Sequence, residues 1–203
     1  MSVFRSLLAD IRGIPKFTEV NWLQGNSYNI NQNYIDTEYI PNSNTKVEMK
    51  YQFSSSVQHN YDRLFGGDGC FLSITYNGKQ IYVRIGNTYS SWDYNGYNKP
   101  QQYFDRDYIV SADNSQVYID NVVVATRSAT EINTNKSILL FSNNTNDNDR
   151  NSFASVYYFK AWENDILVRD MIPVLDENNV PCFYDKITNK LYYNLGNGSF
   201  SWG

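Results

Sequence analysis

Histidine is nearly absent from this chain of 203 residues, which contains only His59. A single histidine excludes multi-histidine metal centres and most histidine-dependent catalysis. We expect His59 to be exposed to solvent, because it lies in the polar segment Ser-Val-Gln-His-Asn. No Gly-x-Ser-x-Gly motif accompanies it, so the sequence offers no nucleophile elbow for a Ser-His-Asp triad.

Cysteine is also scarce. Cys70 and Cys182 lie far apart in sequence, each within an apolar, strand-like run. No CxxC pair or Cys/His spacing is present, which argues against a structural zinc site. An even number of cysteines permits one disulfide, but nothing else indicates a disulfide-built scaffold. We therefore favour two buried free thiols over a disulfide.

The chain lacks a strong excess of either charge and has no long apolar run. Its 17 basic and 21 acidic residues give a net charge of −4 and a pI near 5.0, which argues against a phosphate-backbone clamp. No apolar run approaches the roughly 20 residues needed to span a bilayer. Aromatic residues, in contrast, are abundant: the chain has 18 Tyr, 11 Phe and 4 Trp. Tyrosine and phenylalanine favour β-sheets.

The N-terminal residues show the only helical periodicity that we find. One apolar stripe is formed by Val3, Leu7, Leu8 and Ile11. The spacing predicts a short amphipathic helix over residues 2–12, ended by Gly13 and Pro15. The segment carries charges and lacks the apolar core of a signal peptide. Residues 1–16 either pack on their own domain or dock on a partner subunit, with the stripe as the assembly surface.

The rest of the chain, residues 17–203, is predicted to be one all-β domain. Asn77-Gly78 and Asp120-Asn121 are hairpin turn signals between alternating or apolar runs. Many short strands joined by Asn- and Gly-rich turns indicate a sandwich or barrel. The predicted strands cover residues 46–53, 71–76, 79–85, 116–119, 122–125, 138–141, 153–175 with a break at 163–165, 180–184 and 190–193.

Three blocks resemble the concanavalin A-like lectin/glucanase superfamily in its laminin-G-like form. They include Asn33-Tyr34-Ile35-Asp36-Thr37 with the following Ile40 to Glu48, then Val117-Tyr118-Ile119-Asp120-Asn121, and a third block from Tyr158 through Leu167-Val168-Arg169-Asp170-Met171-Ile172-Pro173-Val174 to Gly196-Asn197-Gly198-Ser199-Phe200. The variant is typical of gut bacteriophage virion proteins and of gut bacterial surface proteins. Over residues 20–203, the resemblance implies a jelly-roll β-sandwich of two antiparallel sheets. Asp120-Asn121 departs from the commoner Asp-Gly, which Asn tolerates because it can adopt the left-handed conformation.

No catalytic residue is assigned. Glucanases of this superfamily resemble one another in a Glu-x-Asp-x-Glu strand, and the nearest match is Asp36-Thr37-Glu38, where the first block normally has Asp-Thr-Gly. We expect Asp36 to hold a turn. Asp105 and Asp107 repeat the spacing, and we interpret them, with Arg106, as a solvated edge.

Other motifs weigh against a cofactor or a metal. The glycine-rich residues 65–69 lack the Lys-Ser/Thr of a phosphate loop and predict a turn. Residues 143–149 supply only two charged ligands for calcium, which needs six to eight oxygens, so we interpret them as a solvated loop.

The stretch 89–98 is the best binding candidate in the sequence. Its aromatic residues are Tyr89, Trp92, Tyr94 and Tyr97, interleaved with Ser, Asn and Gly. Tyr and Trp supply large contact area at low entropy cost, and a flat indole suits the apolar face of a pyranose. The alternative is that these rings pack over a sheet edge.

These observations and the resemblance predict a non-enzymatic bacteriophage virion protein, a head- or tail-associated decoration or fibre module. We expect a homo-oligomer that contacts other virion proteins, presents a glycan-binding face to host or mucus, and neither binds nucleic acid nor inserts into membranes. The missing signal peptide favours assembly in the host cytoplasm. The alternative is a lectin-like carbohydrate-binding module of a gut bacterial surface protein, and a glycoside hydrolase is the third hypothesis.

Overall fold

A computed structural model describes residues 13–25, 32–53, 62–67, 70–75, 80–85, 89–91, 105–126, 128–142 and 152–203. For residues 62, 70–75, 80–85 and 89–91 it describes the backbone alone. The predicted helix over residues 2–12, with its stripe of Val3, Leu7, Leu8 and Ile11, lies outside the described residues. Within them no residue is helical, and hence no helix could cross a membrane.

The described residues form seventeen strands, and every pairing between them is antiparallel. The strands are β1 Phe17–Glu19, β2 Leu23–Gly25, β3 Ile35–Asp36, β4 Thr45–Gln52, β5 Asp62–Gly67, β6 Cys70–Thr75, β7 Gln80–Ile85, β8 Tyr89–Ser91, β9 Asp107–Ala112, β10 Gln116–Ile119, β11 Val122–Thr126, β12 Leu139–Leu140, β13 Ser155–Glu163, β14 Ile166–Asp176, β15 Pro181–Asp185, β16 Lys190–Tyr193 and β17 Phe200–Trp202.

The strands build two sheets. In the described part of the chain, the large sheet has the order β11-β10-β9-β4-β13-β14-β15-β16, with β1 beside β14, β2 beside β13 and β17 beside β2. The small sheet has the order β3-β12-β5-β6-β7-β8. The prediction of an all-β protein with two antiparallel sheets is confirmed.

The core lies between the two sheets. Buried and half-buried residues alternate along β4, so Val47, Met49 and Tyr51 point inward while the intervening residues point away. The small sheet meets them with residues such as Phe65, whose ring centroid lies 5.8 Å from that of Phe159 on β13. Burying each such side chain stabilises the fold by about 1.5–3 kcal/mol, which makes this interface the main source of stability.

A second, smaller apolar cluster lies on the opposite side of the large sheet, over β14 and β15. Val174, Cys182 and Tyr184 are buried there, and Phe17 covers them, with its ring centroid 4.4 Å from that of Tyr184. Cys182 is a free thiol, as predicted. Its burial, and to a smaller extent the negative charge of the nearby Asp176, raises the pKa of the thiol to about 12. The side chain of Cys70 is not among those described.

The predicted hairpins are confirmed. Thr75 pairs with Gln80 across residues 76–79, which contain the Asn-Gly signal. Asp120 and Asn121 have φ values of 49° and 65° between the paired strands β10 and β11, as a type I′ turn requires. The predicted break at 163–165 is also a hairpin, because β13 pairs with β14 on either side of it.

The prediction that the whole glycine-rich stretch 65–69 is a turn is wrong for Phe65 to Gly67, which belong to strand β5 and pair with β6, with Gly67 opposite Cys70. Residues 68–69 lie outside the described residues. Asp105 and Arg106 are exposed and the side chain of Asp107 is 40% exposed, as the interpretation of a solvated segment expects, but the placement of Asp107 at a sheet edge is wrong. Asp107 begins β9, which lies inside the large sheet between β10 and β4. Its carboxylate accepts a hydrogen bond from Gln52 Nε2 at 3.1 Å and pairs with Lys50 Nζ at 2.8 Å.

Candidate functional site

Of the four residues predicted to bind glycan, the structure describes only one, and only its backbone. Tyr89 begins β8, the terminal strand of the small sheet, and its side chain is not among those described. Trp92, Tyr94 and Tyr97 lie outside the described residues, as do His59 and residues 143–149. Glycan binding by the stretch 89–98 therefore stays a prediction.

Asp36 holds a turn, as predicted. Its Oδ1 accepts a hydrogen bond from the backbone N–H of Glu38 at 2.8 Å. Glu38 has a φ of 55°, in the left-handed region that favours glycine, at the position where the resembled motif has Asp-Thr-Gly. The Glu38 carboxylate pairs with Lys190 Nζ. The carboxylates of Asp36 and Glu38 are therefore both bonded to other groups of the protein.

The first and third resembled blocks meet at Arg169. Its Nε donates to the carbonyl oxygen of Thr37 at 2.9 Å, and it lies 3.7 Å from the carboxylate of Asp185, which is fully buried. Asp185 also accepts hydrogen bonds from the backbone N–H of Asp170 and the hydroxyl of Thr188, both at 2.9 Å. These motif residues hold strands together, and we assign them no ligand contact.

The large sheet presents polar and aromatic side chains on the face of its central strands that points away from the core. One row crosses five strands in register: Asp170 beside Lys160, Lys160 beside Glu48, Glu48 beside Ser111, and Ser111 beside Tyr118. We call this surface the polar face. Its members are Lys46, Glu48, Lys50, Gln52, Asp107, Ser111, Tyr118, Tyr157, Tyr158, Lys160, Trp162 and Asp170.

A β-bulge places two consecutive tyrosines on the polar face. The register of β13 against β4 shifts between Val156 and Tyr158, leaving Tyr157 as the extra residue. The hydroxyl of Tyr158 donates to Glu48 Oε1 at 2.9 Å. Tyr157 hydrogen-bonds to Asp107, and Lys50 Nζ lies 4.5 Å from the centre of its ring.

The protonation states of these groups are fixed near neutral pH. Burial acts to raise the pKa of Asp107, but the hydrogen bonds from Lys50 and Tyr157 outweigh it and hold that pKa below its ordinary value. Burial and the hydrogen bond to Asp107 raise the pKa of Tyr157 to about 12. Burial and Glu48 raise the pKa of Tyr158. Tyr157 and Tyr158 therefore remain protonated near neutral pH, and Asp107 remains ionised.

Lysines lie over the aromatic rings of the polar face. Lys46 Nζ is 5.2 Å from the ring centre of Trp162, and Lys160 Nζ is 5.1 Å from that of Tyr158. A cation–π contact at such an exposed site contributes about 0.5–1 kcal/mol. A ligand can displace these lysines from the rings at a small cost in free energy, because their flexible side chains allow the ammonium groups to move aside.

Sequence reasoning missed the polar face. Strict alternation along residues 153–163 would place Tyr157 and Tyr158 on opposite sides of the sheet. The available signal was the alternation of Lys46, Glu48 and Lys50 with apolar residues, which predicted a solvent-facing side of β4. Among the described residues there is no group of three or more His, Cys, Asp or Glu side chains that could hold a metal ion.

The comparisons with known proteins bear on the fold. No protein-family model matches the sequence, and no curated protein matches it. Among solved structures, the chain is similar to a "putative carbohydrate binding protein" from Bacteroides ovatus, with a TM-score of 0.62 and 11% sequence identity. The match covers 91% of this chain and 60% of that one. The likeness is one of fold.

The similarity to this solved structure does not test the hypothesis of a virion protein. It carries no link to a bacteriophage, and the assembly residues of the predicted N-terminal helix lie outside the described part of the chain. The virion role, the homo-oligomer and the partners stay predictions.

Proposed function

We propose that this chain is a lectin-like carbohydrate-binding module on a concanavalin A-like jelly-roll fold, and that its ligand binds on the polar face. The observation that carries the proposal is the presence of Tyr157, Tyr158 and Trp162 on one side of the sheet beside ordered hydrogen-bonding groups. A pyranose has an apolar face that suits an aromatic ring and hydroxyls that suit carboxylates and phenols. The name of the structural neighbour supports the same class of ligand.

We propose binding without hydrolysis. A glycosidase needs two carboxyl groups about 5–9.5 Å apart and free to act on a sugar. The acid pair that best matched a glucanase motif, Asp36 and Glu38, is occupied by a turn and by Lys190. On the polar face, Glu48 accepts from Tyr158 and Asp107 pairs with Lys50, which suits positioning of a ligand.

Substitution of the aromatic residues tests the proposal. Purified protein is titrated calorimetrically with a panel of oligosaccharides, and each ligand that binds is tested on Tyr158→Ala and Trp162→Ala. We expect each variant to weaken binding about tenfold, since losing roughly 1.4 kcal/mol of ring contact corresponds to that factor. The matched control is Trp202→Ala. Trp202 is an exposed tryptophan (51%) outside the polar face, because in the sheet it lies opposite the core residue Leu23. We expect the control to bind within about twofold of the wild type.

Two results would contradict the proposal. If no oligosaccharide binds, the chain is not a carbohydrate-binding module. If Trp92→Ala abolishes binding while Tyr158→Ala and Trp162→Ala do not, the ligand binds at the stretch 89–98 and the polar face is not the site. Unchanged circular dichroism spectra and melting temperatures establish that each variant folds.

A further inference from the structure

The charges of the polar face balance. Its cationic side chains are Lys46, Lys50 and Lys160, and its anionic side chains are Glu48, Asp107 and Asp170. Resting on the proposed function, we infer that the ligand of this face is a neutral glycan, without carboxylate or sulfate groups. The inference concerns the class of sugar and comes from how these six charges are placed.

Two of the three lysines of the polar face lie beside carboxylates, and the third, Lys46, lies over the ring of Trp162. Lys50 Nζ lies 2.8 Å from the carboxylate of Asp107. Lys160 lies in register between two carboxylates, Glu48 on β4 and Asp170 on β14. An anionic sugar that approached Lys160 would meet both carboxylates, and like charges brought together without water between them repel each other.

A neutral sugar meets no such cost. Its hydroxyl groups both donate and accept hydrogen bonds, so they can bond to carboxylates, phenols and ammonium groups alike. Glu48 and Asp107 are already oriented by Tyr158 and by Gln52, which lowers the cost of ordering them on binding. Binding of an uncharged ligand to a face of zero net charge depends little on ionic strength.

The experiment compares neutral and anionic probes. Wild-type protein is titrated with maltoheptaose, cellohexaose, xylohexaose, mannohexaose and galactohexaose, and with hexagalacturonate and a chondroitin sulfate hexasaccharide, at 50 and 500 mM NaCl. We expect the binders to be neutral, with dissociation constants that change less than about twofold between the two salt concentrations. The inference is overturned if the strongest binder is anionic, or if binding weakens about tenfold or more at the higher concentration.

Two variants that change the net charge of the face in opposite directions give a second test of whether the ligand is neutral. Lys160→Gln and Asp170→Asn change residues that are paired across β13 and β14, and they shift the net charge of the face in opposite directions. For a neutral ligand we expect the affinity to follow the hydrogen bonds that each side chain offers and not the net charge of the face, so the two variants should not shift binding in opposite directions. Opposite shifts, weaker with Lys160→Gln and tighter with Asp170→Asn, would indicate an anionic ligand and overturn the inference.

The outcomes separate this inference from the proposed function. Anionic binders that depend on Tyr158 and Trp162 leave the carbohydrate-binding face in place and overturn only its neutrality. No binding by any probe contradicts the proposed function and this inference with it. Circular dichroism verifies that both charge variants are folded.

Discussion

Asp185 shows how much of this fold depends on one side chain. The carboxylate is fully buried and accepts hydrogen bonds from the backbone N–H groups of Asp170 and Ile187 and from the hydroxyl of Thr188. It also faces Arg169, which bonds to the backbone of the strand β3 region. The resemblance in sequence included Asp185, but its role could not be predicted because its partners come from separate parts of the chain.

Removing this carboxylate should destabilise the protein. We expect Asp185→Ala to lower the free energy of unfolding by about 3–5 kcal/mol, because Arg169 loses its buried partner and several donors lose their acceptor. The measurement is urea denaturation followed by tryptophan fluorescence. The control is Glu177→Ala, an exposed residue in the turn before β15, which should change stability by less than about 0.5 kcal/mol. Equal urea midpoints for the two variants would contradict this role.

Strands and turns differ in how far the sequence predicts them. The alternation along β4 and the turn pair at 120–121 are local signals, and the structure confirms them. The signal at 77–78 predicted a hairpin, and strands β6 and β7 pair on either side of it. Strands β1, β2 and β17 have three residues each, too few for a period of two to be recognised. The bulge at Tyr157 was also hidden, because it depends on how β13 pairs with β4.

The hairpin between β10 and β11 provides a test at this scale. Asn121 has a φ of 65°, which a β-branched residue adopts only with strain. We expect Asn121→Val to destabilise the protein by about 1–2 kcal/mol, and Asn121→Gly to leave it unchanged or slightly more stable. Urea denaturation of both variants measures this difference. Val and Gly variants of equal stability would show that the turn conformation does not limit stability.

Asp120 explains why the departure from Asp-Gly is tolerated. Its Oδ1 accepts from the backbone N–H of Ile109 at 3.0 Å, and its Oδ2 accepts from Arg106 at 2.7 Å. The aspartate therefore fixes the turn onto the neighbouring strand β9. Asn at the next position needs only to adopt a left-handed conformation, which it does at low cost.

At the scale of the whole molecule, the sandwich could be predicted and the candidate site could not. Alternation, turn chemistry and aromatic content all indicate two packed sheets. The polar face, by contrast, is assembled from β4, β9, β10, β13 and β14, whose order in the sheet differs from their order in the chain. Only the pairing of β4 with β13, more than a hundred residues later, brings Glu48 beside Tyr158.

The molecule as a whole should lose stability at alkaline pH. Burial, reinforced by nearby acids, raises the pKa values of Tyr157, Tyr193 and Cys182 to about 12 in the folded protein, from ordinary values of 10.0 for tyrosine and 9.0 for cysteine. The unfolded chain therefore loses these protons first. The stability that these groups contribute is complete below pH 9 and falls as the pH rises toward 12.

The urea midpoint, measured at half-unit steps from pH 7 to 11.5, checks this expectation. It should stay nearly level up to about pH 9 and then decline. Tyr157→Phe removes one of the raised groups without removing the ring, so its decline should be shallower than that of the wild type. The matched control is Ser201→Ala, which removes a hydroxyl that does not titrate in this pH range, and its curve should fall as steeply as the wild type's. A midpoint that stays constant to pH 11.5 would mean that these hydroxyl and thiol groups titrate alike in the folded and unfolded chains.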